Sequence, residues 1–568
     1  MRTIRLGIVQ IAYRSMKFLL RCNHEDLSLC GVDPADEVQC KTARGLLQRA
    51  VRQRGSYRGV SGTLRKMKIG SIEPMRLRVP QAVERAFRTI AVAFALLSLT
   101  PLPAQTAPNL VSNVDGKIHV VILHHGSGEF LGFWYDQSVL YRELLSKMDK
   151  DVAFVILTGK DDSALKARES LKALAEQKLP DGTNRVKFLE VDVKTSQFYP
   201  WARDAYFLLA DRRNNLVFLD SGFNEEPFPV TRFGSLIDGA VSWAGSFNRG
   251  GGNIRATDEE IFVGMDTLLG IGAPTRWGYF GDRRETLYDM AEDVKPEEVP
   301  AFREKFEAHA RLVHQILAPD KKLVILDKEL FFAQLEAGEF LFSKKHARDT
   351  DAQAAYHVDV YLGVGAKDRD GKRTLFVADT RLAARIVGEM SAERRRAVER
   401  LLPKILAEEG FTAVGIPLTE AQISQRLAWD KYELLDRGRE RAQQVGRRFD
   451  AVADSLAALG YRIVRVPYLP NGLTDQPARN DATMGVAFNY SNVLVEAYGE
   501  TRKAYVPVFG FKELDEAAAA AYVSAGFEVV PIRGLLTNAL TQEDANAGLD
   551  CLTSEIRFPV RWVQPTKR

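Results

Sequence analysis

Short β-rich runs that alternate with amphipathic helical stretches constrain the fold of this chain more than any other feature of its sequence. Each run is bounded by Gly, Pro, Asp or Asn, which are typical of strand ends. Amphipathic helices are predicted between several of them, as at 139–148, 163–177 and 514–525. The predicted strands, in chain order, are KIHVVILHH, DVAFVILTG, VKFLEVDV, AYFLLAD, NLVFLDSG, KKLVILD, VDVYLGV, RTLFVAD, YRIVRVPY, SNVLVEAYG, KAYVPVFGF and FEVVPI. The pattern predicts an α/β fold, and its repeated strand–helix–strand units suggest a radial arrangement.

Two charged helical stretches interrupt this alternation, near residues 283–317 and 383–459. Apolar residues recur in both at helical spacing, with Arg and Glu between them. We interpret them as solvated helical insertions that pack on the main body. A lid or a partner-binding arm is the alternative interpretation.

Residues 75–107 have the order of a secretory signal peptide, with arginines first, an apolar run next and small residues last. The apolar run, residues 90–99, is shorter than the roughly 20 residues of a membrane span, and Pro101 and Pro103 follow it. We therefore predict that translation starts at Met75, that residues 1–74 are a non-native upstream extension, and that the mature chain is periplasmic or secreted. A retained anchor is the alternative, but no stable membrane anchor is expected.

The charge of the chain is distributed unevenly along the sequence. The full chain has a formal net charge of +4, but the excess of Lys and Arg lies in residues 1–107. Residues 108–568 contain more Asp and Glu than Lys and Arg. The apparent basicity is therefore no argument for nucleic-acid binding.

The chain has four cysteines, and three of them lie in the predicted upstream extension. Cys22, Cys30 and Cys40, with His24, lack the paired CxxC spacing of a zinc site, so metal binding is not predicted there. Residues 108–568 contain Cys551 alone, which excludes an internal disulfide. This residue is a buried apolar filler, half of an intermolecular bridge, or a reactive thiol.

Polar residues interrupt several of the predicted strand ends. PWARD places Asp204 close to the indole of Trp201, and RGGGNI, which contains Asn253, is a flexible turn that lets a backbone approach a ligand. YHVDVYLGV sets His357 and Asp359 two positions apart. Residues at that spacing on a strand point to the same side, so imidazole and carboxylate are predicted to face one site.

Taken in chain order, these motifs resemble one family. The motifs are similar to those of the guanidino-modifying penteins. In order they are WARD, a Gly-Gly turn, HxD, the YSN of FNYSNVLVE before an apolar strand, YVPVFGFKELDEAAAAAY and a final CLT. Bacterial peptidylarginine deiminases and agmatine deiminases are the most similar members. The resemblance spans roughly residues 191–558 and is interrupted by the helical stretches.

The resemblance implies a pentein fold for residues 108–568, a five-bladed α/β propeller of ββαβ units with additional helical insertions and a central active site. It implies that Cys551 is the nucleophile and His357 the general acid and base. Asp204 and Asp359 are implied to hold the guanidinium. Further predicted substrate contacts are Trp201, Asn253 and Asn492, where the indole offers a cation–π wall.

The chemistry requires these residue types. A guanidinium is planar and cationic, and its fork of N–H donors suits two carboxylates. A thiol attacks as thiolate, and an imidazole can protonate departing ammonia and then activate water. No metal and no organic cofactor is needed. The expected product is a ureido group, as in citrulline.

Three departures from the agmatine deiminase motifs limit the expected substrate. Gly250 stands where EGGS has glutamate, Asp550 where GGGNIHC has histidine, and Tyr356 where a glycine precedes the HxD histidine. They count against a small diamine-type substrate, and the missing glutamate, together with the predicted export, favours arginine in peptides or proteins. Two alternatives stay open: a small-guanidine deiminase or amidinotransferase, and a non-catalytic pentein that binds arginine-containing partners.

Overall fold

A computed structural model of the chain describes residues 107–563 with internal gaps, and these residues belong to one compact unit, Leu102–Arg568. The gaps are 126–132, 136, 161, 192–200, 222–229, 244–250, 271–286, 292–293, 339–356, 414–415, 428–433, 471–486 and 537–547. The predicted upstream extension, 1–74, lies outside the described residues, as does the predicted signal peptide apart from Ala107.

The strands form where the sequence has runs of Val, Ile, Leu and Phe. In β2 and β4 every residue is buried, which agrees with apolar runs that lack alternation. The strands are β1 Asn109–Leu110, β2 Val120–His125, β3 Phe133–Tyr135, β4 Ala153–Thr158, β5 Val186–Glu190, β6 Tyr206–Ala210, β7 Leu216–Asp220, β8 Val241–Trp243, β9 Ile254–Ala256, β10 Glu260–Val263, β11 Lys322–Ile325, β12 Leu362–Lys367, β13 Arg373–Asp379, β14 Phe411–Ala413, β15 Ile416–Pro417, β16 Arg462–Pro470, β17 Ala487–Asn489, β18 Leu494–Tyr498, β19 Thr501–Pro507, β20 Glu528–Ile532 and β21 Thr553–Ile556.

The helices occupy most of the longer connections. The three amphipathic helices predicted at 139–148, 163–177 and 514–525 correspond to α1, α2 and α14. The helices are α1 Ser138–Lys147, α2 Asp162–Ala175, α3 Ala202–Ala205, α4 Met265–Gly270, α5 Leu287–Ala291, α6 Val299–Leu317, α7 Lys328–Glu336, α8 Val358–Tyr361, α9 Thr380–Glu389, α10 Ala392–Glu399, α11 Leu402–Glu408, α12 Glu420–Leu427, α13 Leu434–Ala458 and α14 Lys512–Ser524. Within the described ranges, no helix is long and apolar enough to cross a membrane.

Five sheets share one topology, in which an antiparallel pair of strands is followed by a third strand parallel to the second. The repeated sets are β6–β7–β8, β9–β10–β11, β12–β13–β16, β18–β19–β20 and β21–β2–β4. Parallel neighbours need a crossover, and in four of the five sets this connection contains α-helix, whereas the connection from β7 to β8 contains the 3₁₀ helix Val230–Ser235. The result is an α/β fold with several mixed sheets. Closure of the five units into a propeller stays a prediction.

A segment at residues 109–119, here called the hub segment, bonds to all five of these sheets. It pairs with β6 through β1, and it is bonded in turn to Ala256 of β9, Arg373 of β13, Ala497 of β18 and Ile556 of β21. An extended chain of this length spans at most about 40 Å. The five sheets therefore approach one another around a short piece of chain.

The helical insertions pack on the sheets by one face. In α6 the buried residues recur every three or four positions and include Phe302, Phe306 and Val313, while the charged residues between them are mostly exposed. The second insertion is not wholly helical, because β14 and β15 interrupt it; they pair with each other, and β14 also pairs with β3. The largest buried cluster runs through β2, β4, β12, β13, β18 and β19 and includes Trp201 and Cys551, so the candidate site borders the main core.

Candidate active site

Asp204 lies in α3, a single helical turn between Trp201 and β6. The sequence predicted this motif at a strand end, and the structure has it there, as a helical turn directly before β6. The Asp204 carboxylate is buried, and its Oδ1 accepts a hydrogen bond of 2.9 Å from the Gly252 amide. This bond fixes the carboxylate against the glycine-rich turn.

The glycine-rich turn is a buried 3₁₀ helix, Gly251–Asn253. A Cβ on its central residue, Gly252, would lie 2.6 Å from His357 Nδ1, 2.7 Å from Asp359 Oδ2 and 3.2 Å from Asp204 Oδ1. The first two separations are well below ordinary contact distances of about 3.5–4.0 Å. Glycine is therefore required at this position because three polar side chains meet directly above its backbone.

His357 and Asp359 lie at the start of α8, and the prediction of a strand there was wrong. His357 is the N-cap, with extended backbone at φ −127° and ψ 152°, and the strand β12 begins only at Leu362. The Val358 amide donates to Asn253 Oδ1 at 3.0 Å, so a side chain from another segment satisfies a helix N-terminus. Both side chains still reach one site, but through a helical turn rather than strand alternation.

The distances place four predicted site residues together. The Cys551 thiol donates to Asp359 Oδ2 at 3.1 Å, and His357 Nδ1 lies 3.8 Å from Asp204 Oδ2. All four residues are buried, with Cys551 only 3% exposed. The sulfur contacts a carboxylate and an amide, which does not agree with the interpretation of Cys551 as an apolar filler.

Asn492 binds the turn that carries Cys551. Its Nδ2 donates to Cys551 Sγ at 3.0 Å, and its Oδ1 accepts from the amides of Asp550 at 2.6 Å and Cys551 at 3.3 Å. A Cβ on Gly548 would overlap the Asn492 side chain. Asn489, at the end of β17, holds this asparagine in turn, because its Oδ1 accepts from the Ser491 and Asn492 amides.

Burial and like charges shift the titration of the central pair of groups. Burial, assisted by the charges of Asp550 and Asp204, raises the pKa of Asp359 to about 8, although the Arg255 guanidinium opposes this. Burial is also the main cause that raises the pKa of the Cys551 thiol well above its usual value, and the Asp359 charge adds to it. The resting site therefore favours a neutral thiol, and a cation is needed to stabilise the thiolate.

The remaining predicted contacts take different positions. Asn253 and Asn492 use side-chain oxygens to hold backbone turns, so the structure gives both a positioning contact beyond the predicted substrate contact. Trp201 is buried within the main core cluster directly before α3. Its role as a cation–π wall stays a prediction. Gly250 and Tyr356, two of the departures from the motif, lie outside the described residues.

The sequence missed a buried layer of charge beneath the site. Arg203 and Arg255 both contact Asp550, the residue that the motif comparison treated only as a departure. The sequence offered a signal for this layer, because Arg203, Arg255 and Asp550 each lie within two positions of a predicted site residue. Across the described stretches, no group of three His, Cys, Asp or Glu side chains has an arrangement that could hold a metal ion.

Comparison with known proteins gives similarity only at the level of solved structures, since no family model and no curated protein matches the chain. A Campylobacter jejuni agmatine deiminase is 11% identical, with 80% of this chain and 97% of that chain covered and a TM-score of 0.36. An Enterococcus faecalis agmatine deiminase is 10% identical, with the same coverage and a TM-score of 0.39.

A third similar structure is an amidinotransferase of the saxitoxin biosynthetic pathway from Microseira wollei. It is 12% identical, with 80% of this chain and 99% of that chain covered and a TM-score of 0.30. These enzymes belong to the guanidino-modifying group that the sequence motifs resemble. Because the TM-scores lie below 0.5, these similarities carry no argument about the function of this chain.

Proposed function

We propose that this chain is a thiol-dependent deiminase that hydrolyses the guanidinium of arginine residues in peptides or proteins to citrulline and ammonia. The observation that carries the proposal is the meeting of two carboxylates and an imidazole above the Gly252 backbone, with the Cys551 thiol bonded to one of those carboxylates. These groups come from segments far apart in the chain, and Cys551 and Asp359 alone are 192 positions apart. Together they supply a nucleophile, a proton carrier and two anionic groups.

A bound guanidinium is the cation that these carboxylates suit best. Asp359 is fully buried, and its Oδ1 has no hydrogen-bond partner among the described residues. A buried carboxylate oxygen without a partner costs free energy, and an N–H donor of a substrate removes that cost. A fork of parallel N–H groups fits such an acceptor, with Asp204 as the second anionic group of the site.

The first half of the reaction forms a carbon–sulfur bond and releases ammonia. Asp359 Oδ2 accepts the hydrogen bond of the thiol and is therefore placed to take its proton as the sulfur attacks the guanidinium carbon. The adduct is tetrahedral, and its nitrogens are neutral amino groups because the positive charge of the guanidinium is lost when the sulfur adds. Protonated His357 gives its proton to one of them, ammonia leaves, and a covalent thiouronium on Cys551 remains.

The second half replaces sulfur with oxygen. Neutral His357 takes a proton from water, and the hydroxide attacks the thiouronium carbon. The carbon–sulfur bond breaks, the electron pair returns to Cys551, and the sulfur takes back the proton that Asp359 held. The product loses its extra proton to become a ureido group. The net reaction consumes one water and releases ammonia with one proton for each guanidinium.

The preference for arginine within peptides is supported by the motif departures. Loss of the family's glutamate at Gly250 removes an acid that a small dicationic substrate could use. A peptide can replace that attraction with backbone hydrogen bonds outside the guanidinium site. Binding energy from such remote contacts raises the rate when it is used in the transition state.

We expect kcat/KM for an N-blocked arginyl peptide to exceed that for agmatine by at least about tenfold, or 1.4 kcal/mol. Citrulline and ammonia release should be measured for the peptide, free arginine and agmatine under identical conditions. The Cys551→Ala variant provides the background rate for each. A higher kcat/KM for agmatine would contradict the peptide preference and favour the small-guanidine alternative. Binding of arginyl peptides without any turnover would favour a non-catalytic pentein.

The pH dependence of kcat/KM should follow the titration of Asp359. Its raised pKa of about 8 means that the carboxyl group is neutral below that pH and must lose its proton before it can pair with a guanidinium. The substrate guanidinium stays charged throughout this range. We expect kcat/KM to rise about tenfold per pH unit on the acid side, as Asp359 loses its proton, and to fall again at higher pH, because the first half of the reaction also needs protonated His357. A profile without the rise on the acid side would contradict this assignment.

A further inference from the structure

Four charged side chains lie buried beneath the turn that carries Cys551. In chain order they are Arg203, Arg255, Asp550 and Glu555, whose side chains are 10%, 3%, 1% and 0% exposed. Arg203 Nη2 donates to Asp550 Oδ1 at 2.9 Å and to Glu555 Oε2 at 2.7 Å. Arg255 Nη1 contacts Asp550 Oδ2, the other oxygen of the same carboxylate. The four formal charges balance, as buried charges must.

Three members of this charge network are close chain neighbours of site residues: Arg203 precedes Asp204, Arg255 follows Asn253 by two positions, and Asp550 precedes Cys551. The Asp550 carboxylate therefore joins segments 347 and 295 positions away in the chain. A backbone bond of 3.2 Å from the Arg203 amide to the Cys551 carbonyl joins two of the segments again. Asp550 lies where three parts of the candidate site meet.

We propose that Asp550 is the positioning residue of the nucleophile: clamped between Arg203 and Arg255, it fixes the turn that carries Cys551. The inference rests on the proposed function of that thiol. Charge-assisted bonds to both oxygens of one carboxylate restrict its position and its rotation. A shift of about 1 Å in a reacting group can cost about 100-fold in rate, so a fixed turn has a direct kinetic value.

Asp550 also contributes to the electrostatic field at the thiol. The charged or titratable groups near the Cys551 thiol are Arg203, Asp204, Arg255, His357, Asp359 and Asp550. After burial and the nearer carboxylates, the Asp550 charge helps to raise the pKa of Cys551, and it acts in the same direction on Asp359. Neutralising Asp550 therefore moves the thiol titration to lower pH.

The test combines turnover with chemical modification of the thiol in Asp550→Asn. We expect kcat for the arginyl peptide to fall by about 100-fold, with a smaller change in KM. Alkylation of Cys551 by iodoacetamide, followed by mass spectrometry of its peptide so that the other cysteines are resolved, should reach half its maximal rate at a lower pH. Asp550→Glu keeps the charge, and its alkylation profile should return towards that of the unchanged protein.

The matched control is Asp115→Asn. Asp115 also forms a partly buried ion pair, at 2.7 Å from Arg373 Nη1, but it belongs to the hub segment and accepts a hydrogen bond from the Asp258 amide. It should leave both kcat and the alkylation profile unchanged. If Asp550→Asn behaves like this control in both measurements, the proposal is overturned.

A second variant covers the case in which the single change prevents folding, because Arg255 then loses its acid partner. The double variant Asp550→Asn with Arg255→Gln removes one charge of each sign and keeps the pair of Arg203 and Glu555. We expect the double variant to fold and to keep the low kcat. The pH at which its Cys551 alkylation reaches half the maximal rate should lie closer to that of the unchanged protein. If both variants unfold, the network is a folding element and the positioning role is wrong. Absence of turnover in the unchanged protein would refute the deiminase proposal, while the alkylation shift still tests the network.

Discussion

Cys551→Ala is expected to abolish turnover, with a loss of about 10⁶-fold in kcat, the scale seen when a nucleophile is removed. The sulfur is the atom that bonds to the guanidinium carbon, and alanine leaves neither a thiolate nor a covalent intermediate. The substitution removes one buried atom, so folding should survive with a change in Tm of a few degrees, about 2–4 °C per kcal/mol. Citrulline release measures the loss of turnover, thermal unfolding measures the change in Tm, and acid-quenched mass spectrometry detects the covalent intermediate.

The quench provides a check beyond activity. During turnover of the arginyl peptide, the unchanged protein should carry the mass of the thiouronium adduct on the peptide that contains Cys551. The alanine variant should carry none. Cys551→Ser is the matched control for size, and it should be equally inactive because its hydroxyl is a far weaker nucleophile at neutral pH. Turnover by the alanine variant above about 1% of the unchanged rate would refute covalent catalysis by this residue.

Gly252→Ala is expected to lower kcat/KM by at least about 100-fold. The new methyl would lie within 2.7 Å of both His357 Nδ1 and Asp359 Oδ2, so one or both side chains must move. Movement of His357 takes the imidazole away from the thiol, and movement of Asp359 takes the carboxylate away from it. Steady-state kinetics with the arginyl peptide measure the loss, and circular dichroism shows whether the fold is retained.

The control for this substitution is Gly388→Ala in α9. Among the described residues, a Cβ there meets the side chain of Arg439 alone, at 3.8 Å, which is ordinary contact. Alanine should favour the helix by about 0.5–1 kcal/mol and leave activity unchanged. Full activity in the Gly252 variant would show that the three polar side chains need not meet above this backbone for catalysis.

Local sequence pattern was sufficient for most of the sheet framework. The run KIHVVILHH contains β2, and RTLFVAD is β13, because continuous apolar β-branched segments bounded by breakers have few other structures open to them. The sheet of β3, β14 and β15 was missed. Its strands have only two or three residues each and come from distant segments, so pairing rather than propensity creates them.

The candidate site shows where sequence reasoning stops. The order of the motifs was enough to select Asp204, His357, Asp359 and Cys551, which the structure brings into contact. It could not show that HVDVY turns as a helix, because the bond from the Val358 amide to Asn253 depends on a partner 105 positions away. The arginine clamp on Asp550 was hidden for the same reason.

The hub segment has a consequence for the order in which the molecule can be completed during synthesis. Arg557 Nη1 donates to the Val114 carbonyl across 443 positions, and β21 closes onto β2 beside it. At 5–20 residues per second, the ribosome needs about 20–90 s to make the chain between these partners. The hub segment is made early but can complete its contacts only after β21 has been synthesised. The proposed nucleophile, Cys551, is held in position only from that point. A chain that ends just before Thr553 lacks β21, the strand that anchors Cys551. Proteolytic loss of this short C-terminal stretch would therefore inactivate the site while most of the framework is still present.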